Sequence, residues 1–225
     1  MMRKFWIAIL LVVLCIGVCG CMSNQKQNQA ETTRERALEY LRSNYEDVFT
    51  AQAYSANNWA YRYESVTFTS KKYPGATVEV RVYQNEDNSV TFVDNYFHCY
   101  MMQDAVDYSK SLLGTNTVSV KVRFSNSIWS DDLVDAKSFT QWKELGNCEM
   151  DVFVIAKEAL SQNEQTAFME TLVLEKITGM VTFFTTSDAE LLVDYTLDDV
   201  LNNQSKLIQS RSQYYVNSIT GIQKK

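Results

Sequence analysis

The chain has 225 residues, of which 46% are hydrophobic and 21% charged, and its formal net charge at pH 7 is −6. This length and apolar content suffice for one sizeable domain or two small ones with real cores. The acidic balance argues against binding to nucleic acid and against electrostatic attachment to anionic lipid, because both need clustered Lys and Arg.

The first twenty-one residues have the build of an export signal. Arg3 and Lys4 precede an uncharged apolar run, Phe5 to Cys19, and small Gly20 follows it. The run is shorter than the ~20 residues that a membrane-spanning helix needs. The stretch Val18-Cys19-Gly20-Cys21 resembles the lipobox of bacterial lipoproteins, in which an aliphatic residue, a small residue and Gly or Ala precede an invariant Cys.

The resemblance implies a diacylglyceryl group on the Cys21 thiol, cleavage after Gly20 and acylation of the new amino terminus. Two or more acyl chains make membrane attachment durable, so the protein is expected on the extracytoplasmic side of the cell membrane. Cys19 departs from the usual Ala, Ser or Thr, and as an acceptor it would follow bulky Val18. An ordinary cleaved leader or a short membrane span is the alternative interpretation.

The rest of the chain is predicted to comprise three segments: a flexible polar tether over 21–31, a helix-plus-meander unit over 32–115 and an alternating strand/helix unit over 116–225. In the second segment, Thr32 opens a capping-box sequence for a helix that runs to about Phe49. From Trp59 onward, apolar or aromatic residues recur at every second position, which predicts an antiparallel meander. A second helix, starting at Asp94 or Asn95, follows. This order is similar to that of cystatin-like or PepSY-like modules.

In the third segment strands and helices alternate, which favours crossover connections and a partly parallel sheet. The chain as a whole is predicted to be α+β, either as two units or around one continuous sheet. The predicted elements are strands over Thr117–Phe124, Cys148–Ala156, Met180–Thr186 and Tyr214–Ile219, and helices over Ser161–Thr178, around Trp142 and from Thr196. The strand over Cys148–Ala156 is apolar on both faces in its second half, which predicts a place in the middle of the sheet. The helix from Ser161 opens with a capping-box sequence, Ser161 to Glu164.

No catalytic, metal or cofactor site is predicted. His98 is the single histidine, and a helical neighbour such as Cys99 does not face it. Zinc sites and nucleophile–base pairs need several such groups to converge. The glycines are isolated, so no phosphate-binding loop is predicted.

An aromatic set, Tyr54, Trp59, Tyr61 and Tyr63, is the candidate binding site, for a protein partner or an envelope glycan. Its alternative interpretation is an ordinary sheet face packed under the first helix, because aromatic residues favour strands.

A group of acids offers a rival function, an envelope glycan hydrolase that uses a carboxylate pair. Helix caps and solvated loops explain such acids more simply. The acids are Asp131, Asp132, Asp135, Asp188, Glu190, Asp194, Asp198 and Asp199.

Cys99 and Cys148 are the two cysteines beyond the leader, and they could form a disulfide or stay as buried thiols. A thiol-redox protein is a third hypothesis, although no Cys-x-x-Cys spacing supports it. The leading prediction is a non-enzymatic, lipid-anchored module that binds a protein or envelope component.

Overall fold

The computed structural model describes residues 27–57, 60–113, 119–133, 136–146, 148–187, 196–202 and 208–225. The chain divides into two compact units, Met1–Asp94 and Asn95–Lys225. One contains a four-stranded antiparallel sheet and the other a mixed five-stranded sheet, so the predicted α+β class is confirmed. Among the described residues no helix combines the length and the apolar character needed to cross a bilayer.

The first unit is a helix on a meander. Helix α1 covers residues 27–44, and strands β1 (Phe49–Ser55), β2 (Tyr63–Ser70), β3 (Thr77–Gln84) and β4 (Val90–Asp94) follow. Each strand pairs antiparallel with the next, in the order β1-β2-β3-β4.

The core of the first unit lies between α1 and one face of this sheet. Alternate residues of β2 and β3 point to that face and are fully buried, because successive side chains of a strand point to opposite sides. Tyr40 of α1 stacks on Phe92 with ring centroids 5.1 Å apart. The hydroxyls of Tyr40 and Tyr45 both donate to the buried carboxylate of Asp94, at 2.7 Å and 3.0 Å. These contacts fix the helix against β4.

The bounds of α1 differ from the prediction. The helix already covers residues 27–31, which the sequence assigned to the tether, and Thr33 lies inside it. Thr32, the predicted cap, also lies inside the helix, where its hydroxyl donates to the carbonyl oxygen of Asn28, and the Thr33 hydroxyl donates to Glu64 of β2. At the other end, Phe49 begins β1, where it pairs with Ser70. The predicted helix therefore ran about five residues too far, and β1 was not predicted.

In its described residues the second unit contains five α-helices and a sheet of five strands. They are α2 (Phe97–Tyr100), α3 (Met102–Ser111), β5 (Ser119–Phe124), α4 (Phe139–Glu144), β6 (Met150–Ala156), α5 (Gln162–Leu174), β7 (Gly179–Thr185), α6 (Leu197–Asn202), β8 (Ser210–Asn217) and β9 (Gly221–Lys224). A short 3-10 helix spans Ser130–Leu133. The strand order is β5-β6-β7-β8-β9. Strands β6 and β7 are parallel and the other neighbours are antiparallel.

Strand β6 is covered on both faces, as its continuous apolar sequence predicted. Val152 and Val154 belong to a large core that includes residues of α2 to α5. Phe153 and Ile155 point the other way and pack with Val200 of α6. The central position of β6 thus follows from its composition.

Two boundaries in this half of the chain need correction. The first unit ends at Asp94 and not near residue 115, because Met101 and Ala105 contribute to the core of the second unit. Helix α5 ends at Leu174 and not near Thr178. Lys176 adopts a left-handed conformation with φ of 57° after it, so the chain turns and enters β7 at Gly179.

Candidate functional site

The predicted aromatic set surrounds the start of β2, and the structure divides it between the two faces of the sheet. Tyr63 pairs with Tyr83 of β3 on the face opposite α1. Tyr54 pairs with Val66, whose side chain is buried on the α1 side. A β-bulge between Ala51 and Ala53 shifts the register of β1 and sets this orientation. Trp59 lies outside the described residues.

On the face away from α1, three tyrosines and an arginine form a cluster that we call the tyrosine surface: Tyr61, Tyr63, Arg81 and Tyr83. The Tyr63 ring centroid is 5.3 Å from that of Tyr83 and 5.4 Å from that of Tyr61. The Arg81 guanidinium lies 4.6 Å from the centre of the Tyr63 ring. These are cation–π and tilted aromatic geometries, which stabilise the cluster as a unit.

The tyrosine surface is accessible and polar at its edges. Tyr61 is 55% exposed, and the other three members are half-buried. Arg81 also forms an ion pair with Glu79, with Nε 3.3 Å from Oε1. Burial raises the pKa of Tyr63, against the opposing effect of the Arg81 charge. The Tyr63 hydroxyl therefore stays protonated at neutral pH, where it can donate or accept a hydrogen bond.

On the α1 side of the same strand, Glu64 is the centre of a hydrogen-bond network. Gln29 Nε2 donates to Glu64 Oε1, and the buried Thr33 hydroxyl donates to Glu64 Oε2. Burial, the negative charge of Glu64 and a hydrogen bond to its carboxylate raise the pKa of Tyr54. The Arg34 guanidinium lies 5.9 Å from the centre of the Tyr54 ring. The network attaches the start of α1 to β1 and β2.

Of the described acids, Asp132 has a structural role. Asp132 Oδ2 accepts a hydrogen bond from the backbone N–H of Trp129 at 2.8 Å, which caps the 3-10 helix. Asp131 and Asp198 are exposed. Asp135, Asp188, Glu190 and Asp194 lie outside the described residues, as does the side chain of Asp199. Among the residues described, no group of three or more His, Cys, Asp or Glu side chains could hold a metal ion.

Cys99 and Cys148, the two cysteines of the second unit, are not joined in a disulfide. Cys99 is half-buried and Cys148 is completely buried. Burial raises the pKa of Cys148 to about 12, although the nearby Lys143 charge acts in the opposite direction. Its reactive thiolate form is therefore scarce at neutral pH, so Cys148 does not support the thiol-redox hypothesis. Cys21 lies outside the described residues.

His98 lies in an apolar environment on α2. Its ring centroid is 4.4 Å from that of Phe97 and 5.6 Å from that of Phe124. Among the described residues, its buried Nε2 atom has no hydrogen-bond partner. Burial lowers the pKa of His98 to about 4. A base with so low a pKa and no orienting carboxylate is poorly suited to proton transfer at neutral pH.

Sequence reasoning missed two members of the tyrosine surface, Arg81 and Tyr83. The alternation of β3 placed both residues on its outward side, which was the available signal. What the sequence lacked was the register that pairs Tyr83 with Tyr63.

No protein-family model and no curated protein matches this chain. Among solved structures, the chain is similar to a DUF5037 family protein from Ruminococcus gnavus ATCC 29149, with 10% sequence identity and a TM-score of 0.46. The alignment covers 80% of this chain and 90% of that protein. A similarity this weak carries no inference about function.

Proposed function

We propose that this chain is a lipid-anchored extracytoplasmic protein that binds a protein partner through the tyrosine surface of its first unit. The anchor is proposed from the leader, in which a basic start and a short apolar run end in Val18-Cys19-Gly20-Cys21. The acidic body has little electrostatic affinity for anionic lipid, so acyl chains on Cys21 would hold it to the membrane.

The observation that carries the binding role is the joined cluster of three tyrosines and one arginine on an accessible sheet face. Tyrosine and arginine are enriched among the residues that contribute most to protein–protein affinity. Their rings lose little conformational entropy on binding, since contacts within the cluster already hold them.

A protein partner fits the geometry better than a stacked sugar. A pyranose ring needs an open aromatic face, whereas the Arg81 guanidinium lies over the ring of Tyr63. The rings of Tyr61 and Tyr63 are also tilted by 44°, so they form no flat platform. The arginine and the tyrosine hydroxyls instead offer hydrogen-bond donors around an apolar centre, the usual anatomy of a protein interface.

The first test is photo-cross-linking on intact cells that express the full chain. A photoreactive benzoylphenylalanine replaces Tyr61, and mass spectrometry identifies the captured proteins. We expect one dominant partner, which is lost when Cys21→Ala removes the proposed anchor. The matched control carries the same photoreactive residue at Tyr73, in the turn between β2 and β3. That turn is about 25 Å from Tyr61, since β2 rises ~3.3 Å per residue.

The second test measures affinity for the captured partner. Tyr61→Ala is expected to weaken binding about fivefold or more, because truncation of an interface tyrosine that contributes to affinity removes at least ~1 kcal/mol. Tyr73→Ala is expected to leave binding unchanged. Equal capture at positions 61 and 73, or equal affinity of the Tyr61→Ala and wild-type chains, would contradict the proposal.

A further inference from the structure

A cavity of about 290 Å³ lies on the α1 side of the first unit, on the opposite face of the sheet from the tyrosine surface. Its walls come from the first turns of α1, from the chain beside β1 and β2 and from the end of β3. The side chain of Val82 is the apolar part of its lining, and the remaining lining residues are polar. Its volume is at the lower limit of small-molecule sites, so it suits one small molecule.

Two arginines give the cavity a positive charge. Arg36 of α1 and Arg62, just before β2, both line it. Within the part of the chain that the structure describes, neither guanidinium has an ion-pair or hydrogen-bond partner. Glu64 is the one carboxylate among the lining residues, and Gln29 and Thr33 already donate to its two oxygens. The lining thus carries one surplus positive charge in a chain whose net charge is −6.

Side-chain amides supply much of the remaining polar lining. Asn28, Asn57 and Gln84 border the cavity, and among the described residues their amide groups have no protein partner. An amide both donates and accepts hydrogen bonds, which matches the hydroxyl groups of a sugar or polyol. A guanidinium group binds a carboxylate or phosphate through two parallel hydrogen bonds.

We propose that this cavity binds a small acidic sugar. Its carboxylate or phosphate contacts Arg36 and Arg62, and its hydroxyls contact the amides of Asn28, Asn57 and Gln84. Glu64 holds the walls in place through α1 and does not contact the anionic group. This site is separate from the tyrosine surface, so a negative result for the protein partner does not affect this proposal, and the reverse also holds.

The test is isothermal titration calorimetry on the purified full chain in detergent, with four probes. Glucuronate and glucose 6-phosphate carry the two kinds of anion, glucose is the neutral counterpart, and inorganic phosphate lacks the sugar. We expect at least one acidic sugar to bind tenfold or more tighter than both glucose and inorganic phosphate. The tighter acidic sugar identifies the anionic group that the site prefers. The proposal is overturned if neither acidic sugar binds, or if glucose or inorganic phosphate binds as tightly.

Variants locate the binding. The double variant Arg36→Gln, Arg62→Gln is expected to weaken binding of the preferred acidic sugar at least tenfold. Both side chains are exposed, so the fold should persist, and circular dichroism checks it. Arg42→Gln is the matched control, because Arg42 is an exposed arginine of α1 that does not line the cavity. Unchanged binding in the double variant, or an equal loss in the control, would place the site elsewhere.

Discussion

At the scale of single residues, His98 shows how burial changes the chemistry of a side chain. It is the one histidine of the chain, and the rings of Phe97 and Phe124 pack beside it. This environment disfavours the charged imidazolium and lowers the pKa of His98 from its usual 6.5 to about 4. In the unfolded chain the same imidazole takes up a proton near pH 6.5.

His98 is therefore expected to make stability depend on pH. Its folded-state pKa is depressed, so its contribution is fully present above pH 6.5 and is lost as the pH falls toward 4. The loss amounts to about 3 kcal/mol in the free energy of unfolding at pH 4. The measurement is urea unfolding of wild type and His98→Phe at several pH values, because the variant keeps the carboxylates that also respond to acid. The difference in unfolding free energy between wild type and His98→Phe should change by about this amount between neutral pH and pH 4.

Proton NMR gives an independent check on the same group. A single histidine gives a single set of imidazole resonances. These should titrate near pH 4 in the folded protein and near pH 6.5 in urea. Titration near 6.5 in the folded state would contradict the burial of His98.

At the scale of elements, the parallel pairing of β6 and β7 depends on a close approach at Gly179. Its backbone has φ of 153°, and a Cβ atom there would lie 2.0 Å from the carbonyl oxygen of Met150. Such a contact is sterically impossible without movement of the backbone. The start of β7 must then separate from the start of β6, where Met150 N donates to Thr178 O at 2.9 Å.

Gly179→Ala is accordingly expected to destabilise the protein by about 3 kcal/mol or more, from overpacking and backbone strain together. Gly221→Ala is the matched control in the same sheet, because its φ of 72° is also left-handed but nothing lies within 4 Å of the added Cβ. The control should lose only about 1–2 kcal/mol. Chemical denaturation measures both variants, and equal losses would show that the contact with Met150 is unimportant.

Several elements could be predicted because their own residues carry the signal, either as an apolar run or as a capping sequence. The apolar sequence of β6 indicated its burial on both faces, and the structure confirms it. The capping box at Ser161 and Glu164 is also confirmed, with both reciprocal hydrogen bonds present. In each case the signal is local in sequence, because the apolar run lies within β6 itself and the two capping residues are three positions apart.

Other elements could not be predicted, because tertiary contacts determine them. Strand β1 has little apolar alternation, as most of its residues are exposed, and it forms through pairing with β2. Thr32 was expected to cap a helix, but α1 already includes residue 27, and the neighbouring Thr33 donates its hydroxyl to Glu64, which is distant in sequence. The same applies to the candidate site: the sequence grouped Tyr54 with Tyr63, and strand register places them on opposite faces.

At the scale of the whole molecule, charge and the proposed lipid have separate roles. Residues 22–225 contain 19 Lys and Arg, since Arg3 and Lys4 account for two of 21, and they contain all 27 Asp and Glu. Their net charge is therefore −8. A body of this charge is repelled on average by an anionic membrane surface, and the repulsion weakens as salt screens it.

The unlipidated Cys21→Ala chain with the leader removed should bind vesicles of phosphatidylglycerol no better than vesicles of phosphatidylcholine. Peripheral proteins with a basic patch behave in the opposite way, with binding that grows with anionic lipid and falls with salt. Vesicle co-sedimentation at low and at physiological salt measures this. The acylated wild-type chain should bind both kinds of vesicle, because acyl chains supply a binding energy that does not depend on the headgroup charge.

Strong, salt-sensitive binding of the Cys21→Ala chain to phosphatidylglycerol would show a basic surface that the sequence does not suggest. Equal sedimentation of the wild-type and Cys21→Ala chains with phosphatidylcholine would contradict the proposed lipid anchor.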